Sequence, residues 1–372
     1  MGRLSRSMRG AFRCAYLDPP FNTGRAFAEY DDARSPGEWR AMIEPRLERT
    51  RELLSDDGAI FVEIGDTELG VLVDRMDSIF GRANRIAIVT IVRSAATGHK
   101  AINVGPINVT DFLLVYAKDR KRVRLRPLVR PRRGYDDAYR TFLEDPSARL
   151  ERWRFEPLAE AAARSLGHSS RRDASRSLGR IQFATEVERF AIQNADRVVR
   201  FAQVRYEAVS RAARALVDRS RNTDRVLRLE RAKHDDLLLY RGNRILFLSN
   251  KVRDGQLVEP LTNVWDDLGF QGIAREGGVV FIRNKKPERL LQRVLDLATD
   301  PGDWVLDPFG GSGTTAAVAH KMRRNWVVIE KESAPYDAAF GRLERVVAGT
   351  DPTGITRAAE WAGGGSFVTK LR

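Results

Sequence analysis

The spacing of apolar residues switches repeatedly between a strand period and a helix period over the first 118 positions. A short apolar run at 14–17 stops at Asp18-Pro19-Pro20, because proline cannot donate to a sheet and disfavours helix in the residue before it. The elements predicted after it are helices at 36–54 and 67–80, and strands at 59–64, 86–92 and 111–117. Strands separated by helices indicate a doubly wound, mostly parallel α/β sheet.

The pattern changes near residue 118. Eight Lys and Arg residues fall between Arg120 and Arg133, and residues 147–235 are rich in Arg and Ala without strand signals. Helical spacing predicts at least one long helix there, through Phe183, Val187, Phe190, Asn194, Val198 and Phe201. We therefore expect an inserted, largely helical, Arg-rich region.

Strand character returns at 244–248 and opens a second α/β half. Its predicted elements are helices at 287–298 and 314–322, strands at 304–306 and 326–330, and a glycine-rich turn at 307–313. We predict three segments: a first half of the α/β domain at 1–118, an insert at 119–240 and a second half at 241–372.

Charge adds the first functional indication. The 372 residues include 64 Lys and Arg against 50 Asp and Glu, which gives a net charge of +14 and a pI near 10.2. Arginine supplies most of the excess, and its planar fork binds phosphate through two hydrogen bonds. This balance favours nucleic-acid binding, although a GC-rich genome would also encode much arginine.

Other residue counts exclude several classes. The single cysteine, Cys14, excludes a disulfide framework and Cys-rich zinc sites. The histidines show no metal-ligand spacing, so no metal site is predicted. We find no apolar run of ~18 residues and no signal-peptide pattern. The expectation is a cytoplasmic protein without a membrane span.

The glycine-rich turn is the first motif with chemical content. Residues 305–316 read VLDPFGGSGTTA, so a strand runs into glycines that open a helix. This geometry brings a ligand close to the backbone and a helix N-terminus. Glu330 ends the next predicted strand, where a carboxylate can accept hydrogen bonds from ribose hydroxyls. The turn lacks the P-loop lysine, but it fits a loose dinucleotide pattern, so a dehydrogenase is the competing interpretation.

The second motif is Asp18-Pro19-Pro20-Phe21, at the end of the first strand. Two prolines stiffen the backbone and remove two N–H donors, which leaves carbonyls free to accept. A carboxylate, an outward carbonyl and an aromatic ring together suit a planar base with an exocyclic amine. The alternative is a turn that only ends a strand.

Together, the two motifs resemble the S-adenosylmethionine-dependent DNA amino-methyltransferases, and within them the adenine-N6 group. The catalytic pattern (D/N/S)-P-P-(Y/F/W) is matched at Asp18–Phe21, and the cofactor pattern D-x-F-x-G-S-G-T-T at Asp307–Thr315. Their order along the chain is that of the permuted β class. This resemblance implies the S-adenosylmethionine-dependent methyltransferase fold.

Further segments resemble the modification subunits of type III restriction systems. They are Asp56–Phe61, Phe112–Tyr116, Trp265-Asp266, Lys286-Pro287-Glu288, Ala316–Met322 and Gly363–Phe367. The matches cover roughly residues 8–118 and 240–368. By resemblance, the unmatched middle is a target-recognition region. The implied partners are double-stranded DNA, a restriction subunit and a second copy in a homodimer.

The resemblance also implies roles for single residues. The catalytic set is Asp18, Pro19, Pro20 and Phe21, which would hold a flipped-out adenine. The set that binds S-adenosyl-L-methionine is Asp307, Pro308, Phe309, Gly310, Gly311, Ser312, Gly313, Thr314, Glu330, Lys286 and Pro287. Apart from the resemblance, the charge of the basic stretch predicts phosphate contacts, with a solvated linker as the alternative. The residues are Arg120, Lys121, Arg122, Arg124, Arg126, Arg130, Arg132 and Arg133.

The sequence departs from the family pattern in one place. Members carry a strand and a G-D-x-L motif before the catalytic loop, whereas only seventeen residues precede Asp18 here. A start codon assigned too late is the expected explanation, and a true truncation or a piece supplied by a partner are the others. The competing functions are an inactive DNA-binding remnant and a cytosine-N4 methyltransferase. Asp rather than Ser at position 18 favours adenine.

Overall fold

The computed structural model describes residues 7–23, 34–94, 106–232, 235–270, 272–279 and 285–370. Two compact units divide the chain: residues 1–128 with 262–372 form unit 1, and residues 129–261 form unit 2. In these described ranges, no helix has the length and apolar character needed to cross a membrane.

The elements are numbered along the chain. The strands are β1 (Phe12–Leu17), β2 (Leu54–Ile64), β3 (Arg85–Val92), β4 (Thr110–Ala117), β5 (Val129–Pro131), β6 (Thr141–Leu143), β7 (Phe155–Pro157), β8 (Val198–Gln203), β9 (Leu227–Leu229), β10 (Leu237–Tyr240), β11 (Asn243–Phe247), β12 (Val252–Arg253), β13 (Gln256–Pro260), β14 (Val264–Trp265), β15 (Trp304–Asp307) and β16 (Asn325–Val328). The α-helices are α1 (Pro36–Leu53), α2 (Asp66–Met76), α3 (Leu158–Ser165), α4 (Arg171–Leu178), α5 (Arg180–Gln193), α6 (Arg211–Arg221), α7 (Glu288–Ala298), α8 (Thr314–Lys321) and α9 (Ser333–Val347).

Unit 1 contains a seven-stranded sheet in the order β14-β3-β4-β2-β1-β15-β16. Strand β4 pairs antiparallel with β2 and β3, and every other pair is parallel. The predicted doubly wound, mostly parallel α/β fold is therefore confirmed. Apolar residues of α1 and α2 such as Trp39, Ile43 and Leu72 are fully buried in one core with β1, β2 and β4. The amphipathic spacing of the sequence thus corresponds to the face that each helix buries.

Strands β1 and β15 lie side by side, and this pairing places the two motifs. Cys14 is in register with Val305, and Ala15 with Leu306. In a parallel pair the carboxyl ends lie at the same edge, which is where ligands bind in open α/β sheets. The residues that follow β1 and β15 therefore share one edge of the sheet.

Unit 2 has a six-stranded antiparallel sheet in the order β7-β6-β8-β11-β10-β9. Helices α3 and α5 pack on it through a core that includes Leu158, Ala191, Phe142 and Val198. A separate three-stranded sheet has the order β12-β13-β5. Unit 2 is thus a mixed α and β body.

The prediction of a largely helical insert was wrong in this respect. Its strands are mostly three to six residues long and include arginines, so no strand period stood out. Val198 and Phe201 keep helical spacing with α5 but lie in β8. Helix α5 ends at Gln193, and its C-cap residue Asn194 donates to the Phe190 carbonyl through both its backbone N–H (3.0 Å) and its side-chain amide (2.9 Å).

The segment boundaries also differ from the prediction. Unit 2 spans 129–261, whereas the predicted insert spanned 119–240. Residues 244–248 were assigned to the second α/β half, but 244–247 belong to β11, which pairs antiparallel with β8 and β10 inside unit 2. A tight turn at Arg241-Gly242, both with positive φ, joins β10 to β11 and fixes that pairing.

Candidate active site

The loop after β1 is held from two sides. The Trp39 indole Nε1 of α1 donates to the Pro20 carbonyl at 2.7 Å. The Phe21 ring packs on Gly65, where a Cβ would lie only 3.2 Å from the ring. The glycine therefore leaves the space that the aromatic ring occupies. Both contacts fix the direction in which the Asp-Pro-Pro-Phe segment leaves the sheet.

Asn22 closes this loop. Its backbone φ is 58°, a left-handed conformation that asparagine tolerates better than most residues. Its side-chain amide donates to Glu68 Oε1 at 2.6 Å, and its carbonyl oxygen accepts from the Arg34 backbone N–H at 2.8 Å. The loop is thereby tied both to α2 and to the segment before α1.

Asp18 faces a cluster of charged groups at the end of β1. The Lys286 ammonium lies 3.2 Å from Asp18 Oδ1, 2.7 Å from Glu63 Oε1 and 4.5 Å from the centre of the Phe21 ring. Glu63 is fully buried and also accepts a 2.5 Å hydrogen bond from the Tyr16 hydroxyl. One ammonium thus bridges a carboxylate of the motif and a buried carboxylate of β2.

The charges of this cluster act on one another. Burial raises the pKa of Asp18 to about 8, and the Glu63 carboxylate adds to the rise while Lys286 opposes it. Burial also raises the pKa of Asp111 to about 6. Although burial alone would lower it, the surrounding carboxylates raise the pKa of Lys286, which stays charged. In this cluster the Lys286 ammonium therefore stays protonated, while the carboxyl groups of Asp18 and Asp111 bind their protons more tightly than usual.

The turn after β15 is shaped by glycines. A Cβ on Gly310 would lie 2.6 Å from Val328 Cγ1, and one on Gly313 would lie 2.8 Å from the Ala339 Cβ. Gly311 and Gly313 have φ values of 48° and 72°. Only glycine allows this close and left-handed path without strain. The backbone is left open to a ligand as it enters α8.

Two carboxylates hold the turn. Asp307 accepts from the Phe309 backbone N–H at 2.8 Å and from Thr315 Oγ1 at 2.5 Å, and burial raises its pKa to about 7. Glu330 Oε2 accepts from the Gly311 backbone N–H at 2.6 Å. Its other oxygen accepts from two backbone N–H groups of the loop after β16.

Both motifs line one cavity of about 240 Å³. Its lining includes Asp18, Pro19, Pro20 and Phe21 of the first motif, Asp307–Ser312 and Thr314 of the second, and Glu330 and Lys286. Pro287 precedes α7, and Gly313 precedes α8. The structure therefore brings the residues of the predicted catalytic and cofactor sets together around one cavity. Pro287 and Gly313 are the exceptions, and each directly precedes a helix beside the cavity.

The basic stretch pairs largely with carboxylates of its own unit. Within unit 1, Arg122 contacts Asp56 and Arg126 contacts Asp300; within unit 2, Arg130 contacts Glu259 and Arg132 contacts Asp136. Arg120 donates to the Arg85 carbonyl, and Arg124 accepts from Arg13 through its own carbonyl. The phosphate-binding role of this stretch stays a prediction, with part of its charge already compensated.

Sequence reasoning did not select Glu63, Tyr16, Arg34 or Arg46. Glu63 had a visible signal, a carboxylate inside the apolar run AIFVEI. The two arginines had none, because nothing local distinguishes them from the many surface arginines of this chain.

Cys14 is fully buried in β1, and burial raises the pKa of its thiol far above the usual range. A thiol in that state is a poor nucleophile. Across the ranges that the structure describes, no group of three or more His, Cys, Asp or Glu side chains could hold a metal ion.

Comparison with known proteins adds to this geometry. A family model for DNA methylases, N6_N4_Mtase, matches residues 12–340. The "Probable type III restriction-modification enzyme HindVI Mod subunit" of Haemophilus influenzae is 31% identical over 98% of this chain and 51% of its own length. The type II methyltransferase M.EcaI of Enterobacter cloacae is 24% identical over 91% of this chain and 65% of its own length. The chain thus spans about half to two thirds of these relatives.

Solved structures show similar chains at low identity. A complex of M1.HpyAVI with SAM is 11% identical, with a TM-score of 0.42 over 92% of this chain and 93% of that one. The PvuII DNA methyltransferase, described as cytosine-N4-specific, is also 11% identical, with a TM-score of 0.42 over 90% and 80%.

Proposed function

Because the chain belongs to the DNA methylase family, whose model matches residues 12–340, we propose that it transfers a methyl group from S-adenosylmethionine to N6 of adenine in DNA. The observation that supports this most directly is the shared cavity. Asp18–Phe21 and the glycine-rich turn both line it. A methyl donor and a base amine would thus face each other across the end of the sheet.

The residues fit this cofactor. Gly310 and Gly313 leave a cradle that a Cβ would fill, and Glu330 stands at the end of β16, where ribose hydroxyls can reach a carboxylate. When bound, the cofactor supplies an electrophilic methyl group on a sulfonium. The protein's task is to hold the acceptor nitrogen in line with that group.

Asp18, Pro19 and Phe21 would do this for an adenine that has left the duplex, at a cost of a few kcal/mol. The Phe21 ring offers a stacking face. The Asp18 carboxylate and the Pro19 carbonyl accept hydrogen bonds from the two N–H groups of the amine and thereby direct the nitrogen lone pair to the methyl group. The nitrogen loses one of its protons as it gains the methyl group. Asp rather than Ser at position 18 supports adenine over cytosine, which is the second candidate base.

Double-stranded DNA is the proposed partner. Residues 129–261 hold 28 Lys and Arg against 19 Asp and Glu, a net charge of +9 in a unit that would lie on a phosphate backbone. The likeness to a Mod subunit supports a restriction subunit as a further partner, and we extend the proposal to a homodimer and a cytoplasmic location.

The test is methyl transfer from radiolabelled S-adenosylmethionine to plasmid DNA of varied sequence, followed by nucleoside analysis. We expect label in N6-methyladenine. Label in N4-methylcytosine would contradict adenine as the target base and identify cytosine instead. DNA binding without label would support an inactive remnant. Binding of a nicotinamide cofactor instead of S-adenosylmethionine would support a dehydrogenase.

The raised pKa of Asp18 predicts the pH dependence of the reaction. Only the ionised carboxylate accepts from the amine, and burial raises its pKa to about 8. The value of kcat/KM for DNA should therefore fall about tenfold per pH unit below pH 8 and level off above it. Glu63→Gln removes a nearby negative charge and should move this midpoint to lower pH. A flat profile from pH 6 to 9 would contradict the prediction.

A further inference from the structure

Two arginines, Arg34 and Arg46, line the cavity near the glycine-rich turn. Arg46 of α1 places its guanidinium carbon 5.5 Å from the centre of the Phe309 ring. Its Nη1 donates to the Met42 carbonyl one turn earlier at 2.5 Å. Arg34 lines the same cavity just before α1. One guanidinium group therefore lies against the turn, and a second arginine lines the same cavity.

Neither arginine forms an ion pair with a carboxylate in the part of the chain that the structure describes, whereas Arg40 and Arg49 on α1 pair with Glu44 and Glu52. Arg34 Nη1 is buried and has no hydrogen-bond partner there. An arginine presents five donors, and a buried donor without an acceptor is costly. Arg34 thus brings an unpaired buried donor to the cavity, and Arg46 has further donors beyond the one it gives to the Met42 carbonyl.

The electrostatics agree with this geometry. Burial lowers the pKa of Arg46, and the positive charge of Arg34 lowers it further. Like charges held together in a partly enclosed space repel each other until an anion neutralises them. A carboxylate or phosphate matches the fork of a guanidinium through two parallel hydrogen bonds.

The resemblance places Lys286 in the set that binds the cofactor. Its ammonium is instead within 3.2 Å of both Asp18 and Glu63. Among the described residues, Arg34 and Arg46 are cations of the cavity that have no carboxylate at salt-bridge distance. Arg46 also lies against Phe309 of the cofactor motif.

We infer that Arg34 and Arg46 bind the methionine carboxylate of S-adenosylmethionine. This assignment rests on the proposed function. A DNA phosphate offers the same anionic oxygens, so the experiment has to separate the two sources. In this assignment Lys286 pairs with the catalytic carboxylate of Asp18. The two arginines bind the methionine end of the cofactor.

Isothermal titration calorimetry on the full chain tests this with two ligands. One is S-adenosylmethionine, and the other is its decarboxylated form, which lacks only the carboxylate. Arg46→Met and Arg34→Met should each weaken binding of S-adenosylmethionine roughly tenfold or more, as expected for a lost charge-assisted hydrogen bond. Both variants should bind the decarboxylated form within about twofold of the wild type. Arg49→Met, on the exposed face of the same helix, is the matched control.

The other outcomes are distinct. Equal losses for both ligands would show that the arginines only shape the cavity, and would overturn the assignment. Unchanged cofactor binding, together with a smaller salt dependence of DNA binding in the variants, would assign them to a phosphate and also overturn it. Wild-type protein that binds neither ligand would contradict the proposed function and the assignment together.

Discussion

Replacing Asp18 with alanine is expected to lower kcat for methyl transfer by about 10³-fold, the scale seen when one preorganised polar group is removed from an active site. The proposed mechanism has no covalent intermediate between the enzyme and its substrates, so positioning and charge supply most of the rate enhancement. Asp18 is the carboxylate that faces the cavity at the end of β1. Initial rates with saturating DNA and cofactor would measure the loss.

Cofactor affinity separates this loss from misfolding. Asp18 follows β1 and is not part of the glycine-rich turn that would hold S-adenosylmethionine. The dissociation constant of S-adenosylmethionine should therefore change less than about threefold in Asp18→Ala. Asp18→Asn keeps one oxygen acceptor and should retain more activity than the alanine variant. An Asp18→Ala protein with near-normal kcat would remove this carboxylate from the mechanism.

Local pattern located most elements of unit 1, although β2 begins five residues before its predicted start and β14 was not predicted. The apolar spacing of 36–54 and the runs at 86–92 and 111–117 agree with α1, β3 and β4 within about two residues at each end. The Asp-Pro-Pro stop and the glycine-rich turn could be located as well, since proline and glycine act on the backbone at their own positions.

Unit 2 and parts of the site could not be predicted in this way. Strands such as β6 and β9, three residues each, are defined by their partners rather than by their own period. The contact between Lys286 and Glu63 joins residues 223 positions apart. Hydrophobic periodicity cannot predict which carboxylate a lysine will form an ion pair with, because the tertiary fold determines that pairing.

A second ion network lies behind the glycine-rich turn, and its members are fully buried. Glu288 at the start of α7 accepts from Lys321 at 2.9 Å and from Arg342 at 2.7 Å. Lys321 also contacts Asp351 at 2.7 Å, so two cations meet two carboxylates. Arg342 in turn donates to Thr314 Oγ1 at 2.8 Å. The network thereby links α7, α8 and α9 to the turn that would hold the cofactor.

Glu288→Ala is therefore expected to destabilise the protein by about 3–5 kcal/mol, the cost of leaving a buried ion without its partner. The substitution leaves Lys321 and Arg342 with one carboxylate between them, and the Ile355 backbone N–H loses its acceptor. Urea unfolding followed by tryptophan fluorescence measures the change. Arg49→Ala, which removes an exposed ion pair at 2.9 Å, should cost less than about 1 kcal/mol in the same assay. If Glu288→Ala cost no more than Arg49→Ala, the network would not be what holds the turn in place.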